Sequence, residues 1–463
     1  MQIRKGQGGD VQISARDLEV VDGAQLSAST FGFGNAGSVI LEIEELAHFA
    51  GSSSGAFSRT DSDEEGQGGD VQISARNLEV VDGAQLSAST FGFGNAGNVI
   101  LEIEELARFA SVDPTGPSGA FSSINRNGVG QGGDVKISAR NLEVLGGAVL
   151  SAVTFGLGDA GSVILEIEEL ARFAGVDPTN GNPSGAFSSI QESGKGIGGN
   201  VQIYATNLEI LQDASLAANS LGVGSSGDII LVILEQLLVD DGTIATNAET
   251  ASGGQVNIQA GHIVLRNDAD IQTFVGRGEG SGGNITIAAN FLIALEDSDI
   301  LAFSADGRGG IIDLSRTTFF GQNPSISVSN LSRNELLDLD GNERVDINAT
   351  GGIESGQIFV GDATFVENSL TALTDAIVDT SALTAGSCIA RSQDSLGSFV
   401  VTGRDGLPAT PGDGGISAYP TGTVRAVDEP STTRIQEPDG VYQLPDGRLV
   451  LSRRCADSAA PSS

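Results

Sequence analysis

Two blocks of 45 residues, Gly6–Ala50 and Gly66–Ala110, differ at only three positions: Asp17 against Asn77, Ser38 against Asn98 and His48 against Arg108. Looser copies begin at Gly130 and Gly196, which sets a period of 60 to 66 residues. Repetition this faithful constrains the fold more than any local propensity, because a short unit that cannot bury its own apolar face can bury it against a copy of itself. A shorter unit lies inside the long one. "GGDVQISA" at Gly8 is echoed by "AGSVILEI" at Ala36, 28 residues later, and the same offset separates Gly68 from Ala96, Gly132 from Ala160 and Gly198 from Ser226. "SGGQVNIQA" at Ser252, "SGGNITIAA" at Ser281 and "GGIIDLS" at Gly309 continue the series. This gives about a dozen units between Gly8 and roughly Ala385.

Each unit contains three short β-type runs separated by Gly, Asn and Asp. In the unit from Gly68 these are "VQISA", "LEVVD" and "AQLSAST". Val71, Ile73 and Ala75 alternate with Gln72, Ser74 and Arg76, the period-two pattern of a half-buried strand. "VILEIEELARFA" also admits an amphipathic helix, but its partner run in the same register is β-branched and flanked by glycine, which makes poor helix. The expected architecture is an all-β parallel β-helix, a solenoid of about twelve coils over residues 1–385. At the strand spacing of ~4.8 Å, the stack would be roughly 55–60 Å long. The insertions "SVDPTGPSG" (Ser111–Gly119) and "GVDPTNGNPSG" (Gly175–Gly185) fall at one place in the unit and are expected as loops along one edge.

Composition narrows function by exclusion. Among 463 residues there are 65 Gly, two His, two Cys, one Met and no Trp, a poor inventory for proton-transfer catalysis. The net charge of −36 repels phosphate backbones and anionic membrane surfaces, so no nucleic-acid partner is expected. No run of 18 apolar residues is present, so no transmembrane segment is expected. No signal peptide is evident between Met1 and the first repeat.

Superimposing consecutive units gives specific contacts. Arg16, Glu44, Arg76, Glu104, Arg140 and Glu168 fall at one coil position, which predicts an alternating inter-coil charge ladder. It reads as a solvated face that sets register, with a ligand-binding stripe as the alternative. A second column follows the glycine pair: Asp10, Ser38, Asp70, Asn98, Asp134, Ser162, Asn200, Asp228, Gln255 and Asn284. Short polar side chains there can cap the backbone at a corner. A calcium ladder would instead need several converging oxygens.

The remaining candidates are sparse. His48 aligns with Arg108 and Arg172 and reads as a long surface side chain; His262 stands alone, so no zinc cluster is expected. "LDLDGNERVDI" (Leu337–Ile347) offers Asp338, Asp340, Asn342 and Asp346 as calcium ligands, but Gly341 is out of register for a calcium loop, and a polar loop is the competing reading. Glu102, Glu104 and Glu105 could serve a polysaccharide-cleaving β-helix, yet they recur almost unchanged in three units, whereas an active site departs from a repeat. No catalytic residue is therefore assigned and no enzymatic activity is expected. Beyond Ala385 the pattern stops. Residues 386–463 read as a small cap with a Pro/Gly-rich loop and a β-hairpin turning at "LPDGRL". Cys388 and Cys455 are either a disulfide or two free thiols; a bond would fit an oxidising, exported setting.

The units "DGAQLSASTFGFGNAGNV" and "GQGGDVQISA", together with "SCIARSQDSLGSFVVTGRDGLPATP", resemble bacterial haemagglutination-activity exoproteins. These are the filamentous-haemagglutinin-like partners of two-partner secretion, often labelled S-layer family proteins. The resemblance implies a right-handed parallel β-helix, export through an outer-membrane transporter, and adhesion or aggregation at the cell surface. It supplies no catalytic residues. The chain lacks the family's signal peptide and N-terminal secretion domain, so it reads as the C-terminal portion of such a protein. The expected partners are a surface polysaccharide or a receptor on a host or neighbouring cell. No cofactor is expected, with Ca2+ along the acidic face as the alternative.

Overall fold

The computed structural model describes residues 6–60, 66–111, 116–277, 279–329, 331, 333–361, 440–443 and 449–452. The chain divides into two compact units, Met1–Ala363 and Thr364–Ser463. The first is a parallel β-solenoid. In one coil a long strand (Val71–Val81) turns through Asp82–Gly83 into a short strand (Gln85–Ser87), and isolated bridges at Thr90 and Phe93 complete the circuit. The long strands pair in parallel with their counterparts, so that Val39, Val71 and Val99 stand in one column. Ten such strands, from Val11–Val20 to Ile285–Ala294, form the stack. Two four-residue rungs, Ile311–Leu314 and Gln357–Val360, extend it. The solenoid therefore has about ten full turns rather than twelve, because the final units shorten to partial rungs.

"VILEIEELARFA" is strand in all three copies, Val39–Ala50, Val99–Ala110 and Val163–Ala174. Its helical look has a structural cause. Val99, Leu101 and Ile103 point inward, a bulge at Glu104–Glu105 shifts the phase, and Ala107 and Phe109 then point inward. Two out-of-phase alternating runs imitate a 3.6-residue period.

Core packing explains why the faithful repeat is two coils long. Ala75, Leu78 and Val80 lie opposite Ile103, Ala107 and Phe109, and all six are buried. The next pair of coils repeats the exchange, with Ala139, Leu142 and Val144 against Ile167, Ala171 and Phe173. Each small side chain sits above a large one, so volume is conserved between rungs. From Ala205, Leu208 and Ile210 onward the exchange relaxes against Ile233, Leu237 and Val239. The sequence identity between copies fades over the same stretch.

Glycine marks the corner after the short strand. A Cβ on Gly97 would run into the carbonyl of Gly69, and one on Gly133 into that of Gly97. The coils meet backbone to backbone there, which explains the invariant second glycine of each pair. The insertion Gly175–Ser184 leaves from the turn that follows the long strand, closed by an antiparallel bridge between Val176 and Pro183. Asp177 caps it through the Thr179 amide at 2.7 Å. Ser118, at the end of the other insertion, accepts from the Gly83 amide as Ser184 accepts from the Gly147 amide, so the two insertions rejoin the coil at the same edge.

The single helix among the described residues, Arg333–Leu337, was not foreseen. It belongs to an insertion between the strands Ser325–Ser327 and Asp346–Asn348. Leu336 and Leu339 bury against Leu301 and Phe303, and Phe303 stacks on Phe274. No helix among the described residues is long and apolar enough to cross a membrane. In the second unit, Gly440–Gln443 and Leu449–Ser452 form an antiparallel pair at the place read as a hairpin. Cys388 and Cys455 lie outside the described residues.

Replacing Phe109 with alanine should cost about 3–5 kcal/mol, measured by chemical denaturation. Converting Ala107 and Phe109 together to Leu and Val restores side-chain volume and should cost less than Phe109→Val alone.

Candidate functional site

The outward face of the long strands carries two charge ladders. In the first, Arg76 reaches Glu45 at 2.9 Å and Glu104 at 3.5 Å, and Arg140 lies 3.6 Å from both Glu105 and Glu168. The bulge sets this pattern: one coil places a single arginine where its neighbours place two glutamates. The ladder expected from sequence therefore needs correction at three members. Glu45 takes the place assigned to Glu44 beside Arg76, Glu105 takes the place of Glu104 beside Arg140, and Arg16 pairs with Asp17 at 3.8 Å. A one-to-one superposition cannot anticipate a bulge with two residues against one.

Sequence reasoning missed the second ladder as a unit. Glu19, His48, Glu79, Arg108, Glu143, Arg172 and Glu209 stand in one register column in which glutamate alternates with histidine or arginine. A hydrogen bond joins His48 Nδ1 to Glu79 at 3.0 Å, and ion pairs join Arg108 to Glu143 at 3.7 Å and Arg172 to Glu209 at 2.7 Å. The Glu209 carboxylate raises the Arg172 guanidinium above its usual value, chiefly through the hydrogen bond. His48 is thus a rung of a structural ladder. His262 stacks on Phe291 of the next coil at 5.1 Å.

The column after the glycine pair caps the corner. Each side-chain oxygen accepts from the backbone amide of the same position one coil on: Asp10 from Ser38 at 2.8 Å, Ser38 from Asp70 at 3.2 Å, Asp70 from Asn98 at 2.8 Å and Asn98 from Asp134 at 2.9 Å. The series continues from Asp134 through Ser162 and Asn200 to Asp228, which accepts from Gln255. Asn284 accepts from Ile311 at 2.8 Å. These oxygens serve the backbone of the next coil and cap the corner.

The one group of carboxylates poised to share a cation, among the described residues, lies at another corner. Asp268, Asp270 and Asp340 bring one oxygen each to within 4.8 Å of the others. Asp268 and Asp270 come from one coil; Asp340 arrives on the helical insertion. Of the four calcium candidates read from sequence, only Asp340 enters this group. Asp346 is held by Asn342 Nδ2 at 2.6 Å and by Arg344 at 3.2 Å. Asp338 remains exposed. Within Leu337–Ile347, Asn342 and Arg344 thus hold Asp346, and Asp340 alone of the four turns toward Asp268 and Asp270.

Buried beside this group, Asp270, Asp299 and Asp346 form a column in which each carboxylate accepts the backbone amide of the next: Asp270 from Asp299 at 3.2 Å, Asp299 from Asp346 at 2.6 Å. The second oxygen of Asp299 is buried and has no partner. Burial, reinforced by Asp340, pushes the Asp270 carboxyl up to about 7. Burial also pushes Asp299 up to about 8, helped by the charges of Asp270, Asp346 and Asp297. Burial and Asp340 raise Asp268 as well. A Ca2+ ion takes six to eight oxygens, so three carboxylates would leave the remaining positions to water or backbone.

No family model, curated protein or solved structure matches this chain.

The raised carboxyls fix a pH dependence. In the folded chain Asp270 and Asp299 hold protons that the unfolded chain releases near pH 4. Their contribution favours the folded state at low pH and is lost as pH rises through about 7 and 8. Asp299→Asn should raise the melting temperature clearly at pH 8.5 and by much less at pH 5. Equal melting shifts at both pH values would show Asp299 ionised in the native fold.

Proposed function

We propose that this chain is a non-enzymatic β-solenoid rod of a secreted or cell-surface protein, exported through an outer-membrane transporter and acting in adhesion or aggregation. The observation that carries this reading is how the outer side chains are used. The corner column bonds each coil to the next from the first coil onward, and the two charge ladders add side-chain contacts between the second and seventh coils. Such a surface specifies a regular, extended scaffold and repeats its chemistry along the axis. The resemblance of "GQGGDVQISA" and "TFGFGNAG" to haemagglutination-type repeats supports the surface role, and the surface polysaccharide or receptor remains the partner class. Beads coated with the chain should bind bacterial or host cells saturably and should leave the chain length of surface glycans unchanged. Glycan shortening, or no adhesion above uncoated beads, would overturn the reading.

A second reading, cation-stabilised folding, is favoured by the Asp268, Asp270 and Asp340 group beside the unpartnered Asp299 oxygen. Occupancy would displace protons from the raised carboxyls. Millimolar Ca2+ should then raise the melting temperature at pH 8, with a smaller rise at pH 5, and a chelator should reverse it. An unchanged melting curve in Asp268→Asn, with and without Ca2+, would tie the effect to this corner.

A further inference from the structure

The repeat breaks at one place on the outer face, and the break coincides with a groove. Along one register column the residues run Ser74, Glu102, Ser138, Glu166, and then Tyr204 and Val232. Two positions on, at the bulge, arginine and paired glutamates give way to Thr206 and then Leu234. Both departures fall in the same two coils. They end the first charge ladder and line a surface groove of about 530 Å³ whose walls include Glu166, Glu168, Tyr204, Thr206, Val232 and Leu234. Tyr204 is 41% exposed and Leu234 is 72% exposed, although every earlier coil places a hydrophilic residue at both positions.

We propose that this groove is a subsite for a neutral oligosaccharide, with Tyr204 as the stacking platform. The proposal rests on the surface-polysaccharide reading above. An exposed phenol ring and an exposed leucine offer apolar area that folding of the coil does not use. The C–H face of a pyranose ring matches that area, and its hydroxyls match the carboxylate and hydroxyl acceptors at the rim. Glu166 is exposed and outside the ion pairs of the ladder, so it is free to accept from sugar hydroxyls; Glu168 is shared with Arg140. Thr206 donates to the Glu168 carbonyl at 2.6 Å, which fixes the floor of the groove. The lining carries no cation, and the chain's net charge of −36 opposes an anionic sugar. Scale separates a glycan from a protein partner. Nine residues line the groove, whereas a stable protein interface engages roughly 20–30 residues a side. A volume near 530 Å³ falls within the range of small-ligand sites.

The test uses the whole chain with cellohexaose and chitohexaose as neutral probes, followed by titration calorimetry and saturation-transfer NMR. Tyr204→Ser and Leu234→Glu each install the residue type that other coils carry, so the stack tolerates them. At least one probe should bind saturably. Either substitution should weaken that binding by about tenfold or more. Glu102→Gln, three coils before Tyr204 on the same column and outside the groove lining, should leave it unchanged. Full-strength binding by Tyr204→Ser overturns the subsite and leaves the adhesion reading standing, as does failure of both probes with a chain whose coated beads still adhere. Self-association abolished by Leu234→Glu assigns the groove to a second copy of the chain and overturns the proposal. Loss of both probe binding and cell adhesion overturns both readings.

Discussion

Parallel stacking in register is the constraint on which this solenoid depends. Every coil lies on an approximate copy of itself at the strand spacing, so each side chain meets its own homologue above and below. Like over like is unfavourable for charges and awkward for bulky side chains. The chain answers both problems by alternation. Glutamate faces arginine or histidine from Glu19 to Glu209, and alanine faces isoleucine at Ala75 and Ile103 while leucine faces alanine at Leu78 and Ala107. Two coils are the smallest unit that satisfies this rule, which is why the sequence repeats most faithfully at about sixty residues and only approximately at twenty-eight.

Polar satisfaction follows the same logic. A corner exposes amides that have no strand partner, and a short acceptor at each corner binds the amide of the next coil. Asp10, Ser38, Asp70 and Asn98 differ in chemistry but share reach, so exchange among them is tolerated. Buried serines do similar work inside. Ser122 donates to the Gly97 carbonyl at 2.7 Å and accepts from Gly133 at 3.1 Å. A column of this kind is cooperative, because removing one member leaves the next coil's backbone unpaired.

Function would lie where the rule is broken. Tyr204 and Leu234 abandon the hydrophilic pattern of the outer face without entering the core, and Asp340 reaches its carboxylate neighbours only because an insertion folds back over earlier coils. Both departures cost the fold something, an exposed apolar surface in one case and crowded carboxyls in the other. A scaffold selected for stacking alone has no use for either.

The sequence by itself determined the solenoid, the coil length, the loop edge and the capping column, because each is a consequence of periodicity and periodicity survives in one dimension. It also placed oppositely charged residues in neighbouring coils. It could not decide which glutamate meets Arg76 or Arg140, since a bulge of two residues against one shifts the register and leaves no mark in composition. The ladder through His48 was hidden for a related reason: its arginine members were visible, but their glutamate partners sit in the intervening half-units. The carboxylate group of Asp268, Asp270 and Asp340 was illegible because it joins residues about seventy positions apart through the packing of Leu336 and Leu339 on Phe303. Only tertiary structure decides such meetings, because they depend on where an irregular insertion finds apolar surface to cover, and no repeat encodes that.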